Sequence, residues 1–135
     1  MANLYLIIDD CPDNLFILDR MIKLSDKDAT VVQCSGGPEA MEAFHALLLE
    51  GKEVTHILSD FDMPDMNGKE TLSNLCSILK QFTGVNLRDS GIIHAILTAN
   101  ATYKDTAGCD RMCKACVTDI YYKPLNRKEL IEIIL

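Results

Sequence analysis

Apolar and polar residues alternate in blocks along the chain. Short apolar runs of strand length are followed by longer stretches in which apolar residues recur every three or four positions. Leu4-Tyr5-Leu6-Ile7-Ile8 is an apolar run ending on Asp9-Asp10. Pro12 then opens a helix, since proline suits the first helical position, and Leu15, Leu18 and Ile22 keep helical spacing through Leu24. The β-branched Thr30-Val31-Val32-Gln33-Cys34 predicts a second strand. Gly36-Gly37-Pro38 turns into a second helix with Met41, Phe44 and Leu48 on one face. His56 to Ser59 predicts the third strand, and Gly68 to about Lys80 a third helix with Leu72, Leu75 and Leu79 in register. A polar loop spans Thr83 to Ser90, and Ile92 to Leu97 is the fourth strand. Lys104 to Lys114 predicts a fourth, more polar helix, and Thr118 to Tyr121 a short fifth strand. Lys123-Pro124 breaks that strand, and Asn126 caps a last helix carrying Leu130, Ile131 and Ile134.

Strict strand–helix alternation predicts an α/β fold, a doubly wound parallel sheet of five strands with helices on both faces. Right-handed crossovers place every strand C-terminus on one edge, where ligands bind near the switch in strand order. The polar strand-end residues therefore converge: Asp9 and Asp10 after the first strand, Asp60 after the third, Thr98 after the fourth and Lys123 past the fifth.

The length of 135 residues suits one domain with a full core. No apolar run reaches membrane-spanning length, and the N-terminus lacks the basic start and apolar stretch of a signal peptide. A net charge of −7 argues against direct contact with nucleic acid or an anionic membrane surface. Without a secretory signal, the six cysteines read as reduced thiols of a cytoplasmic protein.

Several carboxylates at one edge repel. At about 4 Å and an effective dielectric near 20, a like pair costs roughly 4 kcal/mol. A divalent cation relieves that cost, and hard oxygen donors favour Mg²⁺. Lys123 adds a fixed positive charge and Thr98 a hydroxyl. Together they suit phosphoryl transfer, in which positive charge neutralises phosphoryl oxygens while an aspartate oxygen attacks. Each piece alone has an ordinary reading. Asp9-Asp10 is then a solvated loop, Thr98 a strand-end hydroxyl, Lys123 a surface lysine before a turn, and Asp60 an Asx-turn residue. Their joint occurrence at successive strand ends favours chemistry.

With these residues in place, the chain resembles the receiver domains of two-component response regulators over nearly its whole length, 1–135. The resemblance rests on Asp9-Asp10, Asp60-x-x-Met63-Pro64-x-Met66-Asn67-Gly68, Leu97-Thr98-Ala99 and Lys123-Pro124. It implies a flavodoxin-like strand order 2-1-3-4-5. It also implies a signalling domain, not a turnover enzyme, that takes a phosphoryl group from a histidine kinase or a histidine phosphotransfer protein. Asp60 would accept the phosphoryl group. Asp10 would ligate Mg²⁺ directly, Asp9 through water, and Asp60 and the backbone carbonyl of Asp62 would complete the protein ligands. Thr98 would bond the phosphoryl group and shift on activation, Lys123 would pair with it, and the small Ala99 would leave access. Asp62 and Asn100 would tune the lifetime of the acyl phosphate. The output face would be the fourth helix, fifth strand and fifth helix, with no effector domain after it. The chain departs from the family pattern at Ile120, where many receivers carry an aromatic switch and where Tyr121 and Tyr122 follow. It departs again at Cys116, in place of a glycine, and in a longer segment between Gly68 and Thr98.

Two rivals compete. Asp60-Phe61-Asp62 also matches the start of haloacid-dehalogenase-type phosphatases, with Asp60 as nucleophile and Asp62 as general acid. In that family, however, the acidic pair follows the nucleophile instead of preceding it. Cys109, Cys113 and Cys116 fall on one helical stripe and could bind metal, but a zinc site needs a fourth ligand that the sequence does not name. Core packing is the better reading. His45, His56 and His94 are scattered and read as helix-surface or strand-flank residues.

Overall fold

Strands form where the apolar runs lie in the computed structural model, which describes residues 2–98, 119–123 and 125–134. They are β1 (Leu4–Ile8), β2 (Thr30–Cys34), β3 (His56–Asp60), β4 (Ile93–Thr98) and β5 (Asp119–Tyr122). All pair in parallel, in the order β2-β1-β3-β4-β5. This is the doubly wound, flavodoxin-like arrangement expected. Between the strands run α1 (Pro12–Ser25), α2 (Gly37–Leu49) and α3 (Gly68–Thr83), and a C-terminal helix spans Arg127–Ile134. The helix expected over Lys104–Lys114, with Cys109, Cys113 and Cys116, lies outside the described residues, as do Ala99, Asn100 and Pro124.

The period-two alternation of side chains divides the core between the two sheet faces. Leu6, Ile8, Ile57, Ile96 and Ile120 join Phe44, Leu72 and Leu75 on the α2–α3 side. Tyr5, Ile7, Leu58, Ala95 and Leu97 join Leu15, Ile22, Leu130 and Ile133 beneath α1 and the C-terminal helix. Strands buried on both faces favour continuous apolar runs, which is why β1 reads so plainly. The order reverses between β1 and β3, opening a crevice at their carboxyl ends.

Local chemistry sets the boundaries. Asn67 caps α3 in a reciprocal box with Glu70, and Asn126 caps the C-terminal helix with Glu129. α3 runs past Lys80 to Thr83, where Gly84, at φ 77°, takes the left-handed conformation that closes a helix. The loop beyond α3 holds a single 3₁₀ turn, Leu87–Asp89, anchored because Leu87 is fully buried and its N–H points at Cys76 Sγ, 3.4 Å away.

The expectation that His56 sits on a surface or strand flank is corrected. The ring is 3% exposed, stacks on Tyr5 at 4.1 Å and lies 3.1 Å from the Ile134 carbonyl and 2.8 Å from Thr55 Oγ1. It ties the start of β3 to the end of the C-terminal helix. His45 is exposed and edge-on to Phe82, and His94 is half-buried near the Ile92 carbonyl.

Burial holds the His56 pKa below the ordinary histidine value, against opposing pulls from the Ile134 carbonyl and Asp26. The unfolded chain therefore binds more protons as pH falls below about 6.5. Stability contributed by the neutral ring is present above that pH and is lost toward the lower folded pKa. Thermal midpoints should drop between about pH 7.5 and about pH 5.5, and His56→Gln should flatten the drop. Equal slopes in variant and parent would remove His56 from the pH dependence.

Candidate functional site

The polar groups at the crevice are delivered at or just past the carboxyl ends of the strands. Asp9 follows β1, and its N–H donates to the Cys34 carbonyl at 3.0 Å, extending the β1–β2 pairing. Its Oδ1 accepts from the Cys11 N–H at 3.0 Å, fixing the carboxylate at the entry to α1. Asp60 ends β3, and the next residue, Phe61, donates its N–H to the Leu97 carbonyl of β4 at 3.2 Å. Lys123 follows β5 and is aimed by its own N–H, which donates to the Thr98 carbonyl at 2.7 Å.

From there the ammonium of Lys123 reaches both acids, 2.8 Å from Asp9 Oδ2 and 3.1 Å from Asp60 Oδ1. Asp9 is buried, Asp60 half-buried and Asp10 exposed. Oxygens of these three carboxylates lie within 4.8 Å of one another. Burial pushes the Asp60 carboxyl above its ordinary value; Lys123 pulls it back, and the charge of Asp9 pushes it up again. Burial also pulls the Lys123 ammonium down, but its hydrogen bond to Asp9 and the charge and hydrogen bond of Asp60 outweigh that and leave it raised. The two rises have different causes: burial lifts Asp60, whereas the two neighbouring acids lift Lys123. Lys123 keeps its proton firmly, while Asp60 is only partly compensated.

The site thus gathers three acids around one ammonium, an excess of negative charge in a partly desolvated crevice. All the converging donors are hard carboxylate oxygens, which fits Mg²⁺ rather than a softer metal.

The acceptor strand meets α3 at very close range. A Cβ on Gly68 would lie 2.5 Å from the Asp60 carbonyl oxygen and 3.1 Å from Phe61 Cα, and the Gly68 N–H donates to the Phe61 carbonyl at 2.8 Å. Only glycine lets the helix start against the backbone of Asp60.

Of the residues expected at the site, Asp9, Asp10, Asp60 and Lys123 come together. Thr98 is fully buried at the end of β4, one position beyond the Leu97 that pairs with Asp60. The Asp62 side chain is exposed in the loop after β3 and adds no carboxylate to the cluster. Ile120 packs with the α2–α3 core, while Tyr121 packs on the opposite face. The sequence reading missed the bond between Lys123 and Asp9. Strand order alone carried a hint of it, because a lysine beyond β5 must reach across β4 and β3 to meet β1.

A cavity of about 370 Å³ opens beside Lys123, walled by Asp9, Ile17, Leu18, Met21 and Leu97. Ile17 of its wall is 56% exposed, although large and apolar, and its chain neighbour Phe16 is 61% exposed.

The family model described as response regulator receiver domain matches residues 5–135. Solved structures are similar at low identity. A response regulator receiver domain protein from Clostridium thermocellum is 17% identical, with 98% of this chain and 91% of that one covered at a TM-score of 0.72. A CheY-like receiver domain protein from Methanospirillum hungatei JF-1 is 20% identical, with 98% and 90% covered at 0.70. The Saccharomyces cerevisiae Ssk1 receiver domain, solved with the histidine phosphotransfer protein Ypd1, is 21% identical, with 98% and 86% covered at 0.72. No curated protein sequence matches the chain.

The close approach at Gly68 predicts that Gly68→Ala costs about 1–3 kcal/mol through overpacking, toward the upper end because the added methyl meets backbone atoms that cannot turn aside. Urea denaturation measures it. An unchanged or raised midpoint would contradict the contact between α3 and Asp60.

Proposed function

The chain belongs to the response regulator receiver domain family, and from that membership we propose that Asp60 is its phosphoacceptor. The match over residues 5–135 supports reading 1–135 as one receiver domain. It also overturns the phosphatase alternative built on Asp60 and Asp62, since the family is a signalling one.

The observation that carries the reading is the double contact of Lys123 with Asp9 and Asp60 beside Asp10. Asp10 and Asp60 would hold Mg²⁺ with the backbone carbonyl of Asp62, and Asp9 would act through water. The bound ion supplies positive charge that offsets the carboxylates and the phosphoryl oxygens. The chain's own groups do the rest. Asp60, ionised, attacks phosphorus. An O–P bond forms as the P–N bond of a phosphohistidine breaks, and the imidazole leaves with the electron pair. Two of the three protons of the Lys123 ammonium are committed to Asp9 and Asp60, which leaves the third for a phosphoryl oxygen. Thr98, at the neighbouring strand end, would donate its hydroxyl to the same group. Asp62 and Asn100 would set how long the acyl phosphate survives.

The donor would be a histidine kinase or a histidine phosphotransfer protein. The yeast receiver solved with Ypd1 supports that class of partner. Exposed Ile17, in the wall of the cavity beside Lys123, and its exposed neighbour Phe16 suit an apolar contact with it. Signal output would pass through the face expected of the fourth helix, β5 and the C-terminal helix, with Ile120 in the place of the usual aromatic switch. No helix among the described residues is long and apolar enough to cross a membrane.

Incubation with acetyl phosphate and Mg²⁺ should add one phosphate mass to the parent and none to Asp60→Asn, read by intact mass spectrometry. Equal modification of the variant would place the acceptor elsewhere.

A further inference from the structure

The loop from Phe61 to Met66 joins the acceptor to α3 and carries Asp62, so its position matters to any ion held beside Asp60. Its far end is gripped from two directions. On one side, Asn74 of α3 points its Nδ2 at Met66 Sδ, 3.3 Å away, and Thr71 donates its hydroxyl to the Asn67 carbonyl at 2.9 Å. On the other side stands the first residue of α2, Gly37, which is buried. A Cβ there would lie 2.7 Å from Met66 Sδ, 2.7 Å from Thr71 Oγ1 and 3.0 Å from Met66 Cβ. Real Cβ atoms do not tolerate such distances. The backbone of Gly37 is not in the left-handed region, so space alone demands glycine here.

We infer that Gly37 is a positioning residue for the metal-holding loop: its missing side chain lets the first turn of α2 press on Met66 and so fix the chain between Asp60 and Asn67. This rests on the proposed reading of the site as an Mg²⁺-dependent phosphoacceptor and adds a control point on a different helix. The contact is close at the root of the methionine as well as at its sulfur, because an added Cβ would meet both Met66 Cβ and Met66 Sδ. A side chain added at Gly37 must push Met66, and Met66 can yield only by carrying the loop with it or by breaking its contact with Asn74. Shortening Met66 instead removes the buttress. Each single change therefore misplaces the loop, in opposite senses, and the two together compensate.

A double-mutant cycle tests this in the full chain, with Mg²⁺ alone as the probe. Binding is followed by amide NMR shifts of residues 60–67, beside thermal unfolding of every variant. Gly37→Ala should weaken Mg²⁺ affinity about tenfold, the scale seen when a supporting group around a metal site is lost. Met66→Ala should weaken it by a smaller factor, and Gly37→Ala/Met66→Ala should bind more tightly than either single variant. The affinities should not track the thermal midpoints, as they would if Gly37 served stability alone. Unchanged affinity in Gly37→Ala, or a double variant weaker than both singles, overturns the inference. If Gly37→Ala fails to fold, the double variant binding more weakly than Met66→Ala overturns it just as well. Failure of the parent to bind Mg²⁺ would instead overturn the reading of the site itself.

Discussion

The Lys123 ammonium, 2.8 Å from Asp9 and 3.1 Å from Asp60, is the contact on which the carboxyl edge of the sheet depends. Strands β1 and β3 are apolar on both faces, so they deliver their terminal acids into a poorly solvated crevice. Two carboxylates side by side there would repel by roughly 4 kcal/mol at 4 Å and an effective dielectric of 20. One ammonium shared between them offsets most of that, yet it cannot neutralise both acids and Asp10 besides. The folded chain therefore holds a residual negative charge that a divalent cation or a proton on Asp60 would relieve. Burial, with a smaller push from the charge of Asp9, holds the Asp60 carboxyl above its ordinary value despite the ammonium.

Holding that lysine in place requires the whole sheet. Its backbone is pinned to Thr98, its strand pairs with β4, and β4 pairs with β3. The acceptor is fixed just as firmly from the helical layer. α3 begins against the Asp60 carbonyl, with no room for a side chain at Gly68. α2 closes the same loop from the other side through Gly37 and Met66. Rigid elements thus surround a loop whose tip, at Asp62 and Asp65, stays exposed. This suits a site that must bind and release a small charged group while its supports stay still.

Much of this was legible in the sequence because it is written in periodicity. β1 is an unbroken apolar run followed by acids, β3 carries Ile57 and Leu58 into Ser59 and Asp60, and Pro12 and Asn126 mark helix starts by known backbone chemistry. Strand alternation then brings Asp9, Asp10, Asp60 and Lys123 to one edge. What escaped depends on contacts between distant segments. His56 looked like a polar strand flank, and its burial follows from a carbonyl 78 residues further along the chain. Gly37 looked like an ordinary turn residue, because the atoms that would meet its Cβ belong to Met66 and Thr71, far along the chain. α3 was read too short because polar Gln81 and Thr83 hide a helix that Gly84 alone terminates. The Lys123–Asp9 bond needed the reach of the lysine side chain across two strands, which no local pattern encodes.

The balance of charge at Lys123 can be measured without any phosphodonor. The free energy of unfolding of the parent and of Lys123→Met, each with and without saturating Mg²⁺, compares the ammonium with the cation as partners of the same carboxylates. The account predicts that the variant is less stable than the parent without divalent ion, because Asp9 and Asp60 then face each other unpaired. It also predicts that Mg²⁺ stabilises the variant more than the parent, narrowing the gap. A gap that Mg²⁺ does not change, or a variant as stable as the parent without the ion, would contradict it.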